Sequence, residues 1–382
     1  MINPFVTEYK PSGFHIGIDG IERYYNGDGT YKTENFELGG IHYLVGSNGA
    51  ILGSCNGVDH IMSDKTGACM GCGEKIDGVT ALYGTSLVLG SDVKVVFYLD
   101  IDTELLGDGA YLEVGLARDY ASGTTEKFYL NGDDYTVEIG GETYFKVVYS
   151  VSAKDIYSDI TVTPVAANGA KGTQYVYSAA DYAEGVQLKQ TDEVYTENLK
   201  ALAKALLVYG KNAAAALVPD AEAAEEITEA IDWSGVTIPN GSKDLYQAIT
   251  LDTVTLELKS NIKLKVYFTF NSGNFGMKKF SDYIFKVGGE EVEYTDLGDG
   301  KYCIEKEIVA ANLGEVYTFE IVDRLDVTGL CVKMSALYYA KIMAANANAP
   351  EGYANLMKAI KLYSDAANAY TPEIAEDVRP AV

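Results

Sequence analysis

The sequence predicts a mainly β protein with some α-helix: two tandem antiparallel β-sandwich modules, each followed by packed helices, and a small β-hairpin segment at the N-terminus. Three observations predict this fold. A long stretch of the chain occurs twice. Each copy contains short segments of alternating apolar and polar residues, separated by Gly, Asn and Asp turns. Each copy ends with an apolar stripe at helical spacing.

The duplication is visible as three matched segments in the same order. Residues 86–99 return as 255–268 at a constant offset. Residues 177–183 return as 334–340, and 202–209 return as 356–363. Chance rarely gives ordered matches of this kind, so the chain carries two copies of one domain, and we expect both copies to act alike.

The 382 residues divide into four regions on this evidence. Residues 1–78 are a β-hairpin-rich N-terminal segment, since aromatic segments there end in Asp-Gly or Asn-Gly turns. Residues 79–218 form the first module and 250–382 the second. Residues 219–249 are an acidic linker, whose alanine-rich beginning is either a short helix capped by Asp220 or a flexible spacer.

Within the modules, alternation is clearest where Val93, Val95, Phe97 and Leu99 take every second position. The other predicted strands are 110–118, 126–138, 143–151 and 159–166 in the first copy and 282–293, 301–309 and 315–323 in the second. The predicted helices are 178–188 and 194–217, with a second-copy helix over 334–346 and another that contains 356–367.

Composition excludes several classes of function. Fifty-five acidic and thirty basic residues give a net charge of -25, which repels phosphate backbones and anionic membranes, so we expect no nucleic-acid partner. No apolar run is long enough to predict membrane insertion. Abundant Tyr and Gly are typical of exported proteins, and we predict a secreted or cell-surface location with any signal peptide already removed.

Histidine is confined to the N-terminal region. His15, His42 and His60 are the chain's only histidines, so neither repeated module has one. The commonest general base in enzymes, and the triads and zinc-protease motifs built on it, are therefore absent from both modules. This favours a protein that is not an enzyme.

The sequence contains candidate ligands for two kinds of metal site, zinc and calcium. Cys55, His60, Cys69 and Cys72 offer four ligands for a structural zinc, although their spacing matches no standard finger. The alternatives are a Cys69–Cys72 disulfide, a pairing with Cys55, or reduced thiols. The Asp-Gly clusters at 26–29, 131–134 and 296–300 are predicted to be turns before calcium sites, because none has the ligand pattern of an EF-hand.

Aromatic side chains are the candidate ligand contacts, because sugar rings stack on them. Tyr98 and Tyr267 hold matching places on the first strand, and Tyr182 and Tyr339 match at the start of the helical part. Trp233, in the polar linker, is the first single-residue candidate. The alternative is that helices pack on that sheet face, so that these tyrosines, with the matched pair Tyr209 and Tyr363, fill the contact.

The segments 86–99, 177–183 and 202–213 together resemble a module of large surface proteins from gut clostridia and ruminococci. Among these, the chain is similar to the starch adherence proteins of the amylosome. The resemblance implies a β-sandwich followed by helices that binds α-glucan without cleaving it, and a two-part groove for one polysaccharide chain. Residues 20–29 and 40–49 resemble the repeats of cell-wall and glucan-binding proteins.

The resulting hypothesis is a non-catalytic polysaccharide-binding protein of the cell surface, with a starch-like α-glucan as the first ligand. One alternative is a structural or adhesive protein, attached to the cell wall or a scaffold, whose N-terminal hairpins bind the wall. Another is an unrecognised glycoside hydrolase, because the many carboxylates could include a catalytic pair.

Overall fold

The chain is mainly β, with several antiparallel sheets and few helices. The structure is a computed structural model, and the residues that it describes are 11–17, 20–55, 79–90, 92–117, 125–130, 135–167, 169–240, 243–244, 249–259, 261–271, 280–323 and 328–370. No helix in these ranges is long and apolar enough to cross a membrane.

The N-terminal region forms two small sheets, as its turn pattern predicts. Strands β1 (Gly13–Ile16) and β2 (Glu22–Tyr25) make a hairpin, and β3 (Phe36–Leu38), β4 (Ile41–Val45) and β5 (Ile51–Cys55) make a three-stranded sheet. Gly49 has a positive φ of 79° and lies under the Tyr31 ring, where a Cβ atom would be 2.3 Å from a ring carbon. Only glycine fits this position.

The first copy of the repeat contains two four-stranded antiparallel sheets and three helices. One sheet has the order β10-β11-β7-β6, and the other has the order β13-β12-β8-β9. The elements are β6 (Val79–Leu89), β7 (Val93–Ile101), α1 (Thr103–Leu106), β8 (Tyr111–Leu116), β9 (Glu126–Tyr129), β10 (Thr136–Ile139), β11 (Glu142–Val151), β12 (Ile160–Val165), β13 (Tyr175–Tyr177), α2 (Ala179–Leu188) and α3 (Glu197–Leu217).

The second copy repeats this order of strand pairing. Its sheets are β19-β20-β16-β15 and β22-β21-β17-β18, with β14 added beside β22. The elements are β14 (Lys243–Asp244), β15 (Ile249–Leu258), β16 (Ile262–Phe270), β17 (Tyr283–Val287), β18 (Glu290–Glu291), β19 (Thr295–Gly298), β20 (Lys301–Glu307), β21 (Tyr317–Asp323), β22 (Thr328–Met334), α4 (Ala336–Ala344) and α5 (Tyr353–Ala369).

Hydrogen bonds between a turn and a helix also recur in the two copies. A 3₁₀ turn precedes β12 and another precedes β21, and each turn is tied to the following helix. The amide of Ala180 donates to the Ile156 carbonyl at 2.9 Å, and the amide of Leu337 donates to the Leu313 carbonyl at 2.9 Å. Because these pairs are 157 residues apart in the chain, the same connection is built twice.

Both sheets of a copy contribute to the hydrophobic core. In the first copy Val95 and Phe97 of β7 and Leu112 and Val114 of β8 are all fully buried, and they belong to one cluster with helix residue Leu206. One face of β7 therefore lies on this core, as its alternating sequence predicts. Its other face is covered as well, since Val96 is fully buried.

Serine and threonine side chains cap three of the helices, which begin one to three residues after their predicted starts. Ser178 accepts a hydrogen bond from the Asp181 amide while Asp181 accepts from the Ser178 amide, which completes a capping box for α2. Ser335 caps α4 through the Tyr338 amide. Thr196 caps α3, so that helix begins at 197 and not at the predicted 194.

The two copies meet through their last helices. α3 and α5 run antiparallel, because the Asn198 amide side chain at the start of α3 donates to the Ala369 carbonyl at the end of α5 at 2.9 Å. At the opposite end of the pair, Gly352 lies 3.5 Å from Ala216, as measured from an ideal Cβ. A second contact is an antiparallel bridge between Asp92 and Asn261.

The linker is extended, and it lies against the helices of the second copy. No helix forms over 221–230, and Asp220 has a φ of 60°, which is a left-handed conformation that cannot cap a helix start. Lys358 of α5 donates to the Ile227 carbonyl at 2.8 Å. Lys341 of α4 donates to the Trp233 carbonyl at 3.3 Å. The short helix predicted for this segment is therefore wrong, and the two hydrogen bonds place the segment against the second copy.

Candidate functional site

Tyr98, predicted to contact ligand, lies inside the protein. It is 1% exposed, and its hydroxyl is 3.4 Å from the Ser86 hydroxyl. Burial raises its pKa, and the Ser86 hydrogen bond opposes this only in part. Helix α2 packs over the outer face of β6 and β7. For Tyr98, a helix therefore covers the ring, as the alternative hypothesis states.

Tyr182 on α2 is half-buried in a group of tyrosines. Burial raises its pKa to about 12, with smaller contributions from Tyr195 and Tyr177. Tyr98 and Tyr370 also contribute to this shift, so the structure brings two of the predicted residues, Tyr98 and Tyr182, together. Both belong to the contact between helix and sheet.

In the second copy the matching tyrosines are less covered. Tyr339 on α4 is half-buried, and burial raises its pKa, as does the neighbouring Tyr353. Tyr267 on β16 is half-buried, and its cross-strand partners are Thr253 of β15 and Cys303 of β20. Its strand neighbour Lys265 is held by two carboxylates, which makes this outer face a charged surface.

Trp233 packs against the hydrophobic core while remaining half-exposed. The Val236 amide donates to its carbonyl at 3.1 Å, and Val236 itself is 6% exposed. This turn fixes the linker on the second copy, so Trp233 has a structural role that its polar neighbours in the sequence did not indicate.

The predicted zinc ligands fall mostly outside the described residues. Cys55 is buried at the end of β5, and His60, Cys69 and Cys72 lie in the undescribed range 56–78. Within the described residues no group of three His, Cys, Asp or Glu side chains is placed to hold a metal.

Two of the three candidate calcium loops are built as turns. The Asp28 carboxylate accepts from both the amide and the hydroxyl of Thr30, and the Asp296 carboxylate accepts from the Gly298 amide at 2.8 Å. These carboxylates bond to their own backbone, as expected for turns. The third loop, 131–134, is outside the described residues.

An aromatic surface that was not predicted lies at one end of the second copy. Its solvent-facing members are Phe280, Tyr294 and Tyr302, which we call the sheet-end cluster. The Phe280 and Tyr302 rings stack with centroids 4.2 Å apart, and Tyr294 meets Phe280 edge-on at 5.1 Å. Tyr294 is 43% exposed, and the other two are half-exposed.

Buried rings support the sheet-end cluster from below. The Phe270 and Phe280 rings make a T-shaped contact with centroids 4.5 Å apart, and the Phe285 and Tyr294 ring centroids are 4.9 Å apart. Phe270 is 8% exposed and Phe285 is 5% exposed. Packing of this kind restricts the side chains of the cluster, so little side-chain entropy is lost when a ligand contacts them.

A cavity of about 390 Å³ opens beside the sheet-end cluster. Tyr283, Phe285, Val292 and Tyr294 supply its apolar wall. Glu291 and Glu293 also line it and are exposed at the rim. The site thus combines stacking surfaces with carboxylate acceptors, which is the combination that a polyhydroxylated ring requires.

Asp296 is a further acceptor close to the rings. It lies opposite Tyr302 in the β19–β20 register. Burial raises the pKa of Tyr302, and the charge of Asp296 raises it further. The Tyr302 hydroxyl therefore remains a protonated hydrogen-bond donor at neutral pH and above.

The first copy has a related surface at the same end. Tyr135 directly precedes β10 and is 36% exposed. The strand registers place it level with Thr295, the residue after Tyr294. The Tyr135 ring meets Phe128 edge-on at 5.7 Å. Phe145 pairs with Leu99 as Tyr302 pairs with Phe268, so Phe145 is the counterpart of Tyr302. The end of each copy therefore carries an exposed tyrosine beside half-buried aromatic rings.

Comparisons with known proteins do not assign a family. No family model matches the sequence, and no curated protein is significantly similar to it.

Proposed function

We propose that the chain is a non-catalytic polysaccharide-binding protein whose first ligand is a starch-like α-glucan. In this proposal the two copies are tandem β-sandwich modules with packed helices, and each presents aromatic rings at its sheet end. The location is secreted or at the cell surface, as in the amylosome starch adherence proteins that the repeat resembles. The polysaccharide, not a metal or cofactor, is the partner.

The observation that carries the proposal is an exposed tyrosine at the same end of the first sheet in each copy. Tyr294 and Tyr135 are exposed to 43% and 36%, although burying an aromatic ring is favourable and the neighbouring rings are buried or half-buried. Apolar surface that stays in water next to acceptors such as Glu293 favours a ligand with apolar faces and hydroxyl edges.

Affinity electrophoresis tests this function. The full chain is run through native gels that contain soluble starch, glycogen, a β-glucan or no polysaccharide. We expect retardation in the starch and glycogen gels. Unchanged migration in every gel would end the proposal, and retardation by the β-glucan alone would change the ligand class.

A second candidate, attachment to the cell wall, is favoured by a separate observation in the N-terminal region. Phe14, Tyr24, Phe36 and Tyr43 form a half-exposed aromatic cluster, in which Phe36 and Tyr43 stack with centroids 5.0 Å apart. Phe14 joins β1 to this group through Tyr43 at 4.9 Å. These rings offer a stacking surface on a part of the chain that is not repeated in the modules.

Sedimentation with purified peptidoglycan tests the second candidate. We compare the full chain with the variant Tyr43→Ala, with Tyr294→Ala as the matched control. Wall binding through the hairpins predicts that only Tyr43→Ala reduces the sedimented fraction. Equal sedimentation of all three proteins, or none in any, excludes this role for the cluster.

A further inference from the structure

We infer that the two sheet-end surfaces bind two different glucan strands, so that one protein molecule cross-links polysaccharide. This inference rests on the proposed function and concerns how its two sites work together. It differs from the two-part groove for one chain that the resemblance implies.

Matching residues of the two copies contact each other. Tyr209 and Tyr363 hold the same position in the repeat, and their rings stack with centroids 5.2 Å apart and planes 11° apart. Asp92 and Asn261 also hold the same position, and they form an antiparallel bridge. A residue meets its own counterpart only where a twofold axis passes between the two.

Contacts away from the axis are reciprocal, as a twofold axis requires. Asn198 at the start of α3 bonds to Ala369 at the end of α5. The counterpart of Asn198 is Gly352, which lies against Ala216 at the end of α3. The interface is therefore isologous, like that of a C2 dimer, although both halves belong to one chain.

This symmetry restricts how a polymer with two distinct ends can bind. The line that joins two equivalent sites is perpendicular to the twofold axis, and rotation by the axis reverses any direction along that line. A straight glucan that ran through both sites would therefore enter the second one with its reducing end reversed. If each site instead holds its strand parallel to the axis, the two strands lie side by side. In both arrangements equivalent sites take separate strands.

Affinity and cross-linking follow from this arrangement. Two sites on one strand would gain from effective concentration, which raises avidity by about 10²–10⁴-fold over a single site. Sites that take separate strands of dissolved glucan have no such gain. They join strands into a network, as bivalent proteins do.

The test uses the full chain with maltoheptaose and with linear debranched amylose. Calorimetry is expected to give dissociation constants, per binding segment, that agree within about threefold for the two ligands. Turbidity of an amylose solution should rise on adding protein and fall again when protein is in excess. Tyr135→Ala and Tyr294→Ala should each keep binding through the other site but lose the turbidity.

Other results separate the failure of this inference from that of the proposed function. Binding of amylose that is a hundredfold or more tighter than that of maltoheptaose, with no turbidity, would show that one strand spans both sites. The proposed function would then stand and the inference would fail. No heat with either ligand would overturn both. Turbidity that persists in the single-site variants would indicate protein self-association and would also overturn the inference.

Discussion

Tyr209 and Tyr363, which hold the same position in the two copies of the repeat, stack face to face where α3 crosses α5. Both rings are 2% exposed. Burial raises the pKa of both hydroxyls far above the usual value, so they are protonated at every pH at which the protein folds. The helix contact that joins the copies thus has this tyrosine pair at its centre.

The Tyr209 hydroxyl gives a stability prediction, because it is buried and has no hydrogen-bond partner among the described residues. An unpaired buried polar group destabilises a protein by about 1–3 kcal/mol. We therefore expect Tyr209→Phe to raise the free energy of unfolding by about 1 kcal/mol in urea denaturation. Tyr209→Ala should lower it by about 3–5 kcal/mol. A lower stability of Tyr209→Phe would show that the hydroxyl is bonded.

Gly210 gives a second stability prediction, since α3 approaches Ile156 closely there. A Cβ atom at Gly210 would lie 2.8 Å from the Ile156 Cβ. Gly210→Ala should therefore lower the free energy of unfolding by about 1–3 kcal/mol, although alanine is the better helix former. Ser364 is its counterpart in the second copy. Ser364→Ala should be neutral or stabilising, because the Ser364 hydroxyl is buried and unpaired among the described residues.

The charged outer face of the second copy predicts acid sensitivity. Lys263 donates to Glu305 at 2.6 Å, and Lys265 lies 3.1 Å from Glu257 and 3.2 Å from Glu305. Burial opposes the charge of Glu305, but hydrogen bonds from Lys263 and Lys265 outweigh it and hold its pKa below the usual 4.5. A lowered pKa contributes stability that is complete above pH 4.5 and is lost as pH falls through the folded value.

We therefore expect Glu305→Gln to lower the free energy of unfolding by about 0.5 kcal/mol at pH 7, because pairs at the surface are weak. The difference from the wild type should shrink as the pH is lowered below 4.5, measured by urea denaturation down to about pH 3. Glu293→Gln is the control, since Glu293 is exposed at the cavity rim, and should have no such effect. A difference for Glu305→Gln that is undiminished at pH 3 would contradict the role of its charge.

Ligand affinity gives a further prediction. Tyr294→Ala removes the most exposed ring of the sheet-end cluster, and loss of one aromatic stacking contact of about 1.4 kcal/mol weakens binding about tenfold. Calorimetry with maltoheptaose should show this loss at one of two sites. Tyr294→Phe should retain most of the affinity, because it keeps the ring. Equal affinity of Tyr294→Ala and the wild type would exclude this ring from the site.

The mainly β character of the chain and its antiparallel sheets were accessible from the sequence, because the strands alternate and the repeat doubles the signal. The segment 93–99 appears as β7, and 143–151 appears within β11. The predicted strand 282–293 is instead the hairpin of β17 and β18, since Gly288 and Gly289 both take positive φ between them. β22 (Thr328–Met334) was not predicted. The prediction instead began a helix at 334, where this strand ends.

The candidate site was much less accessible. Tyr98 alternates with core residues as a solvent-facing residue would, and only the packing of α2 on that face reveals its burial. The sheet-end cluster unites Phe280, Tyr294 and Tyr302, which lie on separate segments and meet only when β19 and β20 pair. The available signal was a tyrosine directly before a strand in each copy, Tyr135 before β10 and Tyr294 before β19. Both residues lie outside the best-matched segments of the repeat.

The most direct measurement of the central claim is affinity electrophoresis of the double variant Tyr135→Ala/Tyr294→Ala in soluble starch. Tyr83→Ala is the control, because Tyr83 is also an exposed tyrosine, at 37%, but lies on β6 and packs on Tyr144. We expect the wild type and Tyr83→Ala to be retarded equally, while the double variant, with each site weakened about tenfold, is retarded much less. Equal retardation of all three proteins would contradict the account.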